Sequence, residues 1–200
     1  MKSKKSIIFL SGSLRIGSYN TKILKNFKNE ISKYGYDSIF IDLNKYHLPF
    51  YNEDIEKDSL PENLPILKKI FHESSGIIVS SPEYNGEISA VLKNTFDWLS
   101  RKLPGESYKQ SFLGLKSIAI TASNGKNGAI RALDRLKILL SRLGVDEEIL
   151  SYNIGRVSLD MFDDEDTIVN EEELKKIKIL SEYFNNLIKE EDTFQKLKVS

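Results

Sequence analysis

The chain has 200 residues, enough for one domain with a sizeable core, and its 29 Lys and Arg against 29 Asp and Glu give a formal net charge of zero. That balance removes any general electrostatic case for nucleic acid or an anionic membrane surface, and a small partner is expected. With no cysteine, and with His47 and His72 far apart in sequence, neither disulfides nor a metal centre has support, so redox chemistry would have to come from a bound cofactor.

After the basic start Met1–Lys5, only Ile7 to Leu10 run unbroken as apolar residues, too few for a secretion signal or a membrane span, which points to the cytoplasm. Ile7 to Leu10 suit a buried strand. It opens into Ser11-Gly12-Ser13-Leu14-Arg15-Ile16-Gly17-Ser18-Tyr19-Asn20-Thr21, a hydroxyl-rich loop before Ile23, Leu24, Phe27 and Ile31 at helical spacing. Such a loop reads as a phosphate cradle, because free amides and the positive end of the helix dipole converge there; the plainer reading is a helix start capped by Ser18 or Asn20. Gly12 and Gly17 have Walker A spacing, but Ser18-Tyr19 follows where a nucleotide site needs Lys then Ser or Thr. The dinucleotide fingerprint Gly-x-Gly-x-x-Gly is also absent, so a phosphate monoester held by hydroxyls and amides is the better match.

Ser38 to Leu43 predicts a second strand, and Asn44 to Pro61 a long connection. A short helix carries Ile66, Leu67, Ile70 and Phe71, and Gly76 to Ser80 forms a third, buried strand. That strand empties into Ser81-Pro82-Glu83-Tyr84-Asn85-Gly86, whose stiff proline and permissive glycine suit a loop presenting amides to a flat, hydrogen-bonding ring. The next helix holds Val91, Leu92, Phe96, Trp98 and Leu99, its aromatics read as core or subunit contact. Lys102 to Gly114 is a loop, Leu115 to Thr121 a fourth strand, and Ala122 to Gly128 a third small-residue loop. A helix from Ile130 stops at Gly144, Val145 to Ile154 suits an edge strand, and Asp160 to Asp166 reads as a solvated acidic linker without the spacing of a calcium loop. Glu171 to Lys189 predicts a last amphipathic helix followed by a frayed tail.

Five alternations of strand and helix call for an α/β fold, a three-layer, doubly wound, five-stranded parallel sheet within one domain spanning 1–200, its core about 5–190. A strand order of 2-1-3-4-5 would place the first and third strands side by side, and one ligand could then take its phosphate from the first loop and its ring from the second.

At these residues the chain resembles the NAD(P)H-dependent FMN reductases of the flavodoxin-like fold, a family that includes quinone, azo-dye and chromate reductases. The resemblance covers roughly residues 5 to 150. It rests on Gly12-Ser13-Leu14-Arg15-x-x-Ser18-x-Asn20, on Ser81-Pro82-Glu83-Tyr84-Asn85-Gly86 with Leu92-Lys93-Asn94-x-x-Asp97-Trp98, and on Ser123-x-Gly125-x-x-Gly128. It implies that Ser13, Arg15, Ser18, Asn20 and Thr21, with Tyr19 among them, hold the FMN phosphate. Pro82, Glu83, Tyr84, Asn85 and Gly86 would meet the ring edge and ribityl chain, and Ser123 and Gly125 would flank the ring. Many relatives carry paired glycines at the end of the third loop, where this chain has Gly128-Ala129.

The implied activity is transfer of hydride from NAD(P)H through FMN to a small acceptor such as a quinone, azo compound, metal oxyanion or free flavin. No acid or base side chain is nominated as catalytic and no metal is expected. The resemblance also implies a homodimer or homotetramer with the flavin near a subunit boundary. Two alternatives are a flavodoxin-type electron carrier, which usually wears a strongly acidic face and is weighed against by the net charge of zero, and a response-regulator-like module, which would need acids after the first strand where Leu10-Ser11-Gly12-Ser13 has none.

Overall fold

A computed structural model of the protein describes residues 6–146 and 148–199; the basic start Met1–Lys5 and Glu147 of the predicted edge strand lie outside the described residues. The central strand β1, Ser6–Ser11, is flanked by β2, Asp37–Asp42, and β3, Ser74–Ser81. The hairpin strands β4, Glu83–Tyr84, and β5, Glu87–Ile88, form a separate antiparallel pair. Beyond β3 the main sheet continues through β6, Lys116–Ala122, to β7, Ile149–Ile154. All main-sheet pairings are parallel and the order is β2-β1-β3-β6-β7, the flavodoxin-like order expected once the hairpin is set aside.

Strand periodicity sorts the core into two layers. Ile8, Leu10, Ile77, Val79 and Ala119 face one side, against helices α3 (Asn63–His72), α4 (Ala90–Ser100) and α5 (Ile130–Leu143). Ile7, Phe9, Ile78, Ile118 and Ile120 face the other, against α1 (Tyr19–Ser32) and α6 (Glu171–Val199). Because successive side chains in a strand point to opposite faces, a continuous apolar run feeds both layers at once. Each fully buried large apolar side chain contributes about 1.5–3 kcal/mol. Phe96 and Trp98 lie wholly inside the first layer, so neither is a subunit contact, and the Trp98 indole N–H donates to the Pro49 carbonyl at 2.7 Å.

Four other segments differ from expectation for identifiable reasons. The long connection contains a short helix α2, Glu53–Asp58, started by the Asn52 side chain accepting from the Asp54 amide at 2.8 Å and favoured by acids in its first turn. The loop after β3 is a hairpin. The acidic stretch is solvated at Asp160 and Asp163 to Glu165 but tied down at its end: Asp166 pairs with Lys22 and Lys25, while Asn26 donates to the Asp166 carbonyl and accepts from the Ile168 amide, pinning this turn to α1. The residues beyond Lys189 continue α6 to Val199 rather than fraying.

The Lys102–Gly114 loop is held from below by a buried amine. Lys68, 2 % exposed, directs its ammonium to the Leu99 and Arg101 carbonyls, the Ser111 hydroxyl and, at 2.7 Å, the Glu106 carboxylate. Burial pushes the Glu106 carboxyl up, but the Lys68 ammonium and the Leu103 amide outweigh it and hold it below the usual carboxylate range. Removing one member leaves the other charge buried without its partner, so Lys68→Ala should cost about 3–5 kcal/mol in a denaturant titration. A loss under about 1 kcal/mol would show that the loop does not depend on this contact.

Candidate cofactor site

The exits of β1, β3 and β6 meet at one edge of the sheet and are stitched together by hydrogen bonds. The Gly12 amide donates to the Ser80 carbonyl at 2.7 Å, and the Ser89 hydroxyl donates to the Gly12 carbonyl at 2.5 Å. A Cβ on Gly12 would stand 3.0 Å from that Ser80 carbonyl and equally close to Leu92, so the approach needs glycine. Asn20 reaches across to β6, donating to the Ala122 carbonyl at 3.0 Å and accepting from the Ala122 amide at 3.1 Å. Its buried side chain joins the first loop to the third. Thr21 and Ser11 share a hydrogen bond of 2.8 Å between their hydroxyls, which fixes the α1 start on β1.

The α1 N-terminus is left open. Ser18 sits at the N-cap position, buried, yet its side chain makes no capping bond, and the first turn carries no acid. Neither Ser18 nor Asn20 therefore acts as the expected cap. By contrast, α4 is capped by Ser89 accepting from the Leu92 amide, and α2 by Asn52. An uncapped first turn presents several amides with the favourable end of the helix dipole, which is a site for an anion. Arg15 is exposed beside it, its guanidinium 5.8 Å from the centre of the Tyr19 ring, and Tyr19 in turn stacks on Phe162. Ser13 accepts from the Arg15 amide and so shapes the loop.

In the second loop, Asn85 and Gly86 have φ of 55° and 83°, the two consecutive left-handed residues of a tight type I′ turn between β4 and β5. The Asn-Gly pair is the strongest short-range signal for such a hairpin, and it was present in the sequence. In this turn the amides of the two central residues are outside the strand ladder and free for a ligand. Tyr84 is exposed at its side, and Pro82 leads in from the buried Ser81, whose hydroxyl accepts from the Ser89 amide.

The third loop is shaped by local turns and by β7. Ser123 accepts from the Gly125 amide at 3.0 Å, the Ser123 amide donates to Ile154, and the Gly125 carbonyl accepts from Arg156. Ala129 takes a left-handed conformation at φ 66° and cannot cap α5. The carboxylate of Glu83 does so instead, accepting from the Ala132 amide at 3.2 Å. The α5 start is thus already supplied with an anion, while the α1 start is not.

Three hollows lie along this edge. The largest, about 610 Å³, brings Arg15 of the first loop together with Tyr84 of the hairpin, and is walled by Leu43 to Phe50 and by α4. A second, about 380 Å³, holds Glu83, Ser123 and Gly125; a third, about 440 Å³, holds Asn85 and Gly86. Ser13, Pro82 and Ser18 to Thr21 line none of these three. Sequence reasoning gave no role to Asn94, which accepts from the Tyr51 amide at 2.8 Å and donates to the Pro49 carbonyl at 2.9 Å, fixing the wall of the largest hollow. Its signal was a polar residue on the Val91-Asn94-Trp98 stripe of a helix otherwise apolar on that side.

Behind that wall, Tyr51 donates to Glu56 at 2.8 Å, and Arg101 bonds both Glu56 oxygens at 2.9 and 3.0 Å. Burial, then the bond to Glu56, pushes the Tyr51 phenol up to about 12. Burial pushes Glu56 the other way from its bonds with Arg101 and Tyr51, which prevail and hold it below the usual range. A raised phenol pKa contributes stability that is complete below the unfolded value of 10.0 and lost as pH rises towards about 12. The difference in 295 nm absorbance between the parent and Tyr51→Phe should therefore titrate near 12, whereas a midpoint at 10.0 would contradict the network.

Comparison with known proteins identifies the family. Residues 6–146 match the family model described as NADPH-dependent FMN reductase. An NAD(P)H-dependent FMN reductase of Pseudomonas aeruginosa is 32% identical over 139 residues, covering 70% of this chain and 71% of that protein. The NAD(P)H:quinone oxidoreductase of Solanum tuberosum is 31% identical over 176 residues, 84% of each chain. Among solved structures, the flavoenzyme NAD(P)H:(acceptor) oxidoreductase FerB of Paracoccus denitrificans superposes with a TM-score of 0.78 at 26% identity, over 93% of this chain and 98% of that one. On its matched sequence, its sheet order and the loops gathered at the strand ends, the chain belongs to the NADPH-dependent FMN reductase family.

Proposed function

We infer that the protein is an FMN-binding NAD(P)H oxidoreductase acting on small acceptors of the quinone or azo type. The observation that carries this reading is the open α1 N-terminus, tied through Gly12 and Ser89 to a hairpin whose turn amides are free. The residues suit FMN: a phosphate needs amides, hydroxyls and a cation, supplied by the α1 start with Ser13, Ser18 and Arg15, and the polar rim of a flat ring needs main-chain donors, supplied by Asn85 and Gly86. Asn20 and Thr21 serve by holding the cradle in place, and Ser123 and Gly125 by forming the facing loop.

Bound FMN supplies the acceptance and donation of hydride. The chain's own contribution is orientation and electrostatics: the Asn85 and Gly86 amides would hold the polar rim of the ring and favour negative charge there, and Arg15 would hold the phosphate by a charge-assisted bond. No side chain is needed as a general acid or base. The apolar wall of Leu14, Leu43, Leu48 and Phe50 in the largest hollow suits a flat, weakly polar acceptor. Ile16, 98% exposed, and Phe50, 79% exposed, are costly to leave in water beside the site, which supports a homodimer or homotetramer with its boundary here. Among the described residues no helix is long and apolar enough to cross a membrane. We place the protein in the cytoplasm, where reduced nicotinamide is supplied.

The test is to mix the protein with FMN and then NADPH without oxygen. The parent should bind FMN and bleach its visible band rapidly, and should reoxidise on addition of a quinone. Arg15→Ala with Ser18→Ala should weaken FMN binding about tenfold or more with the fold intact by circular dichroism. A bound flavin that NADPH leaves oxidised would mark an electron carrier, and absence of flavin binding would overturn the reading.

A further inference from the structure

We propose that Glu83 is a positioning residue that sets the spacing between the hairpin and the third loop, and hence the fit of the isoalloxazine ring between them. The proposal rests on the FMN reading above. Its basis is a cap supplied from outside the helix. The α5 helix starts without a side-chain cap of its own, because Ala129 at the N-cap position has no oxygen to offer and no acid stands in the first turn. The amide of Ala132, third in the helix, is the one an N-cap side chain ordinarily serves. Here it is served by Glu83, 49 residues earlier in the chain, across the gap between two loops.

Apolar packing seats the second strand of the hairpin there, through Ile88, buried in the core layer that α5 shares, while Glu83 and Tyr84 of the first strand bury no side chain fully. At its base, Ser81 and Ser89 join its two ends through the Ser89 amide and the Ser81 hydroxyl. Towards α5 the other polar tie is an ion pair between Glu87 and Arg135 at 3.1 Å, with both side chains 59% exposed. Such exposed pairs are weak and easily screened. Each strand of the hairpin is only two residues long, so strand pairing adds little, and the first strand has no buried side chain to anchor it. Glu83 therefore couples two structures that the ring would touch together, the turn amides at Asn85 and Gly86 and the loop from Ser123 to Gly128. Without the tie, the two can separate, and flavin binding must bring them back together at a cost in affinity.

The role is distinct from that of a ligand, because the carboxylate already accepts a main-chain bond and faces a helix start rather than a phosphate. It is also distinct from the role of Arg15, which acts on the phosphate alone. Riboflavin, which shares the ring with FMN and lacks the phosphate, separates the two. Dissociation constants for FMN and riboflavin would be measured by flavin fluorescence for the parent, Glu83→Ala, Glu83→Asp and Glu83→Gln, alongside thermal unfolding without flavin.

Glu83→Ala should weaken both flavins by the same factor, about fivefold. Glu83→Asp, which keeps the charge but is one methylene shorter, should behave like the alanine variant, while Glu83→Gln, which keeps an acceptor of the right reach, should stay within about twofold of the parent. Arg15→Ala should weaken FMN alone. The proposal is overturned if Glu83→Ala, or Glu83→Asp should the alanine variant fail to fold, binds riboflavin as the parent does, whatever its unfolding temperature, or if only FMN is affected. A parent that binds neither flavin would overturn the FMN reading itself, a result separable from normal binding by the parent with unchanged binding by the variants.

Discussion

Gly12 is bonded on both sides of its peptide unit to the neighbouring strand exit: its amide to the Ser80 carbonyl and its carbonyl to the Ser89 hydroxyl. This pair of short bonds holds the first loop against the second and depends on a residue without a side chain. A parallel sheet brings strand ends to a common edge, but it does not by itself decide how closely the loops beyond them approach. Gly12 settles that for the first two loops, and Asn20, with both polar atoms of its amide on Ala122, settles it for the first and third. The site is a consequence of these ties.

The second organising feature is how the helix starts are used. Among the described residues four of them receive a side-chain acceptor, α2 from Asn52, α4 from Ser89, α5 from the carboxylate of Glu83 and α6 from Asn170, while α3, like α1, has none. The α1 start has a serine in the capping position and leaves its first turn without a capping bond. A helix end that forgoes a stabilising cap of about 1 kcal/mol keeps its amides available for an outside anion. Fold and function are linked at this point, since the same turn is anchored to β1 through Thr21 and Ser11 and to β6 through Asn20.

Much of this was legible in the sequence because its signals were local and periodic. Apolar runs such as Ile7 to Leu10 fill both layers of the core, the alternation of strand and helix pointed to the parallel sheet, and the flavodoxin-like resemblance to its order. Gly144 stops α5 in the left-handed conformation expected of a glycine at that place. What escaped was mostly long-range. Nothing near Glu83 in the sequence tells that its partner is Ala132, and Asn20 resembles a cap or ligand until Ala122 is seen opposite it. Asp166 looks as solvated as the acids before it until Lys22, Lys25 and Asn26 of α1 are placed against it. The hairpin at Asn85-Gly86 was a local signal, overlooked because its strands are too short to show alternation.

Convergence of three chain segments on one ligand is most directly tested by following the backbone amides in solution as FMN is added. Amide resonances of residues 13–21, 83–86 and 123–128 should shift together along a single binding curve, with those of the opposite edge of the sheet unmoved. Shifts confined to one of the three segments, or following separate curves, would contradict the account.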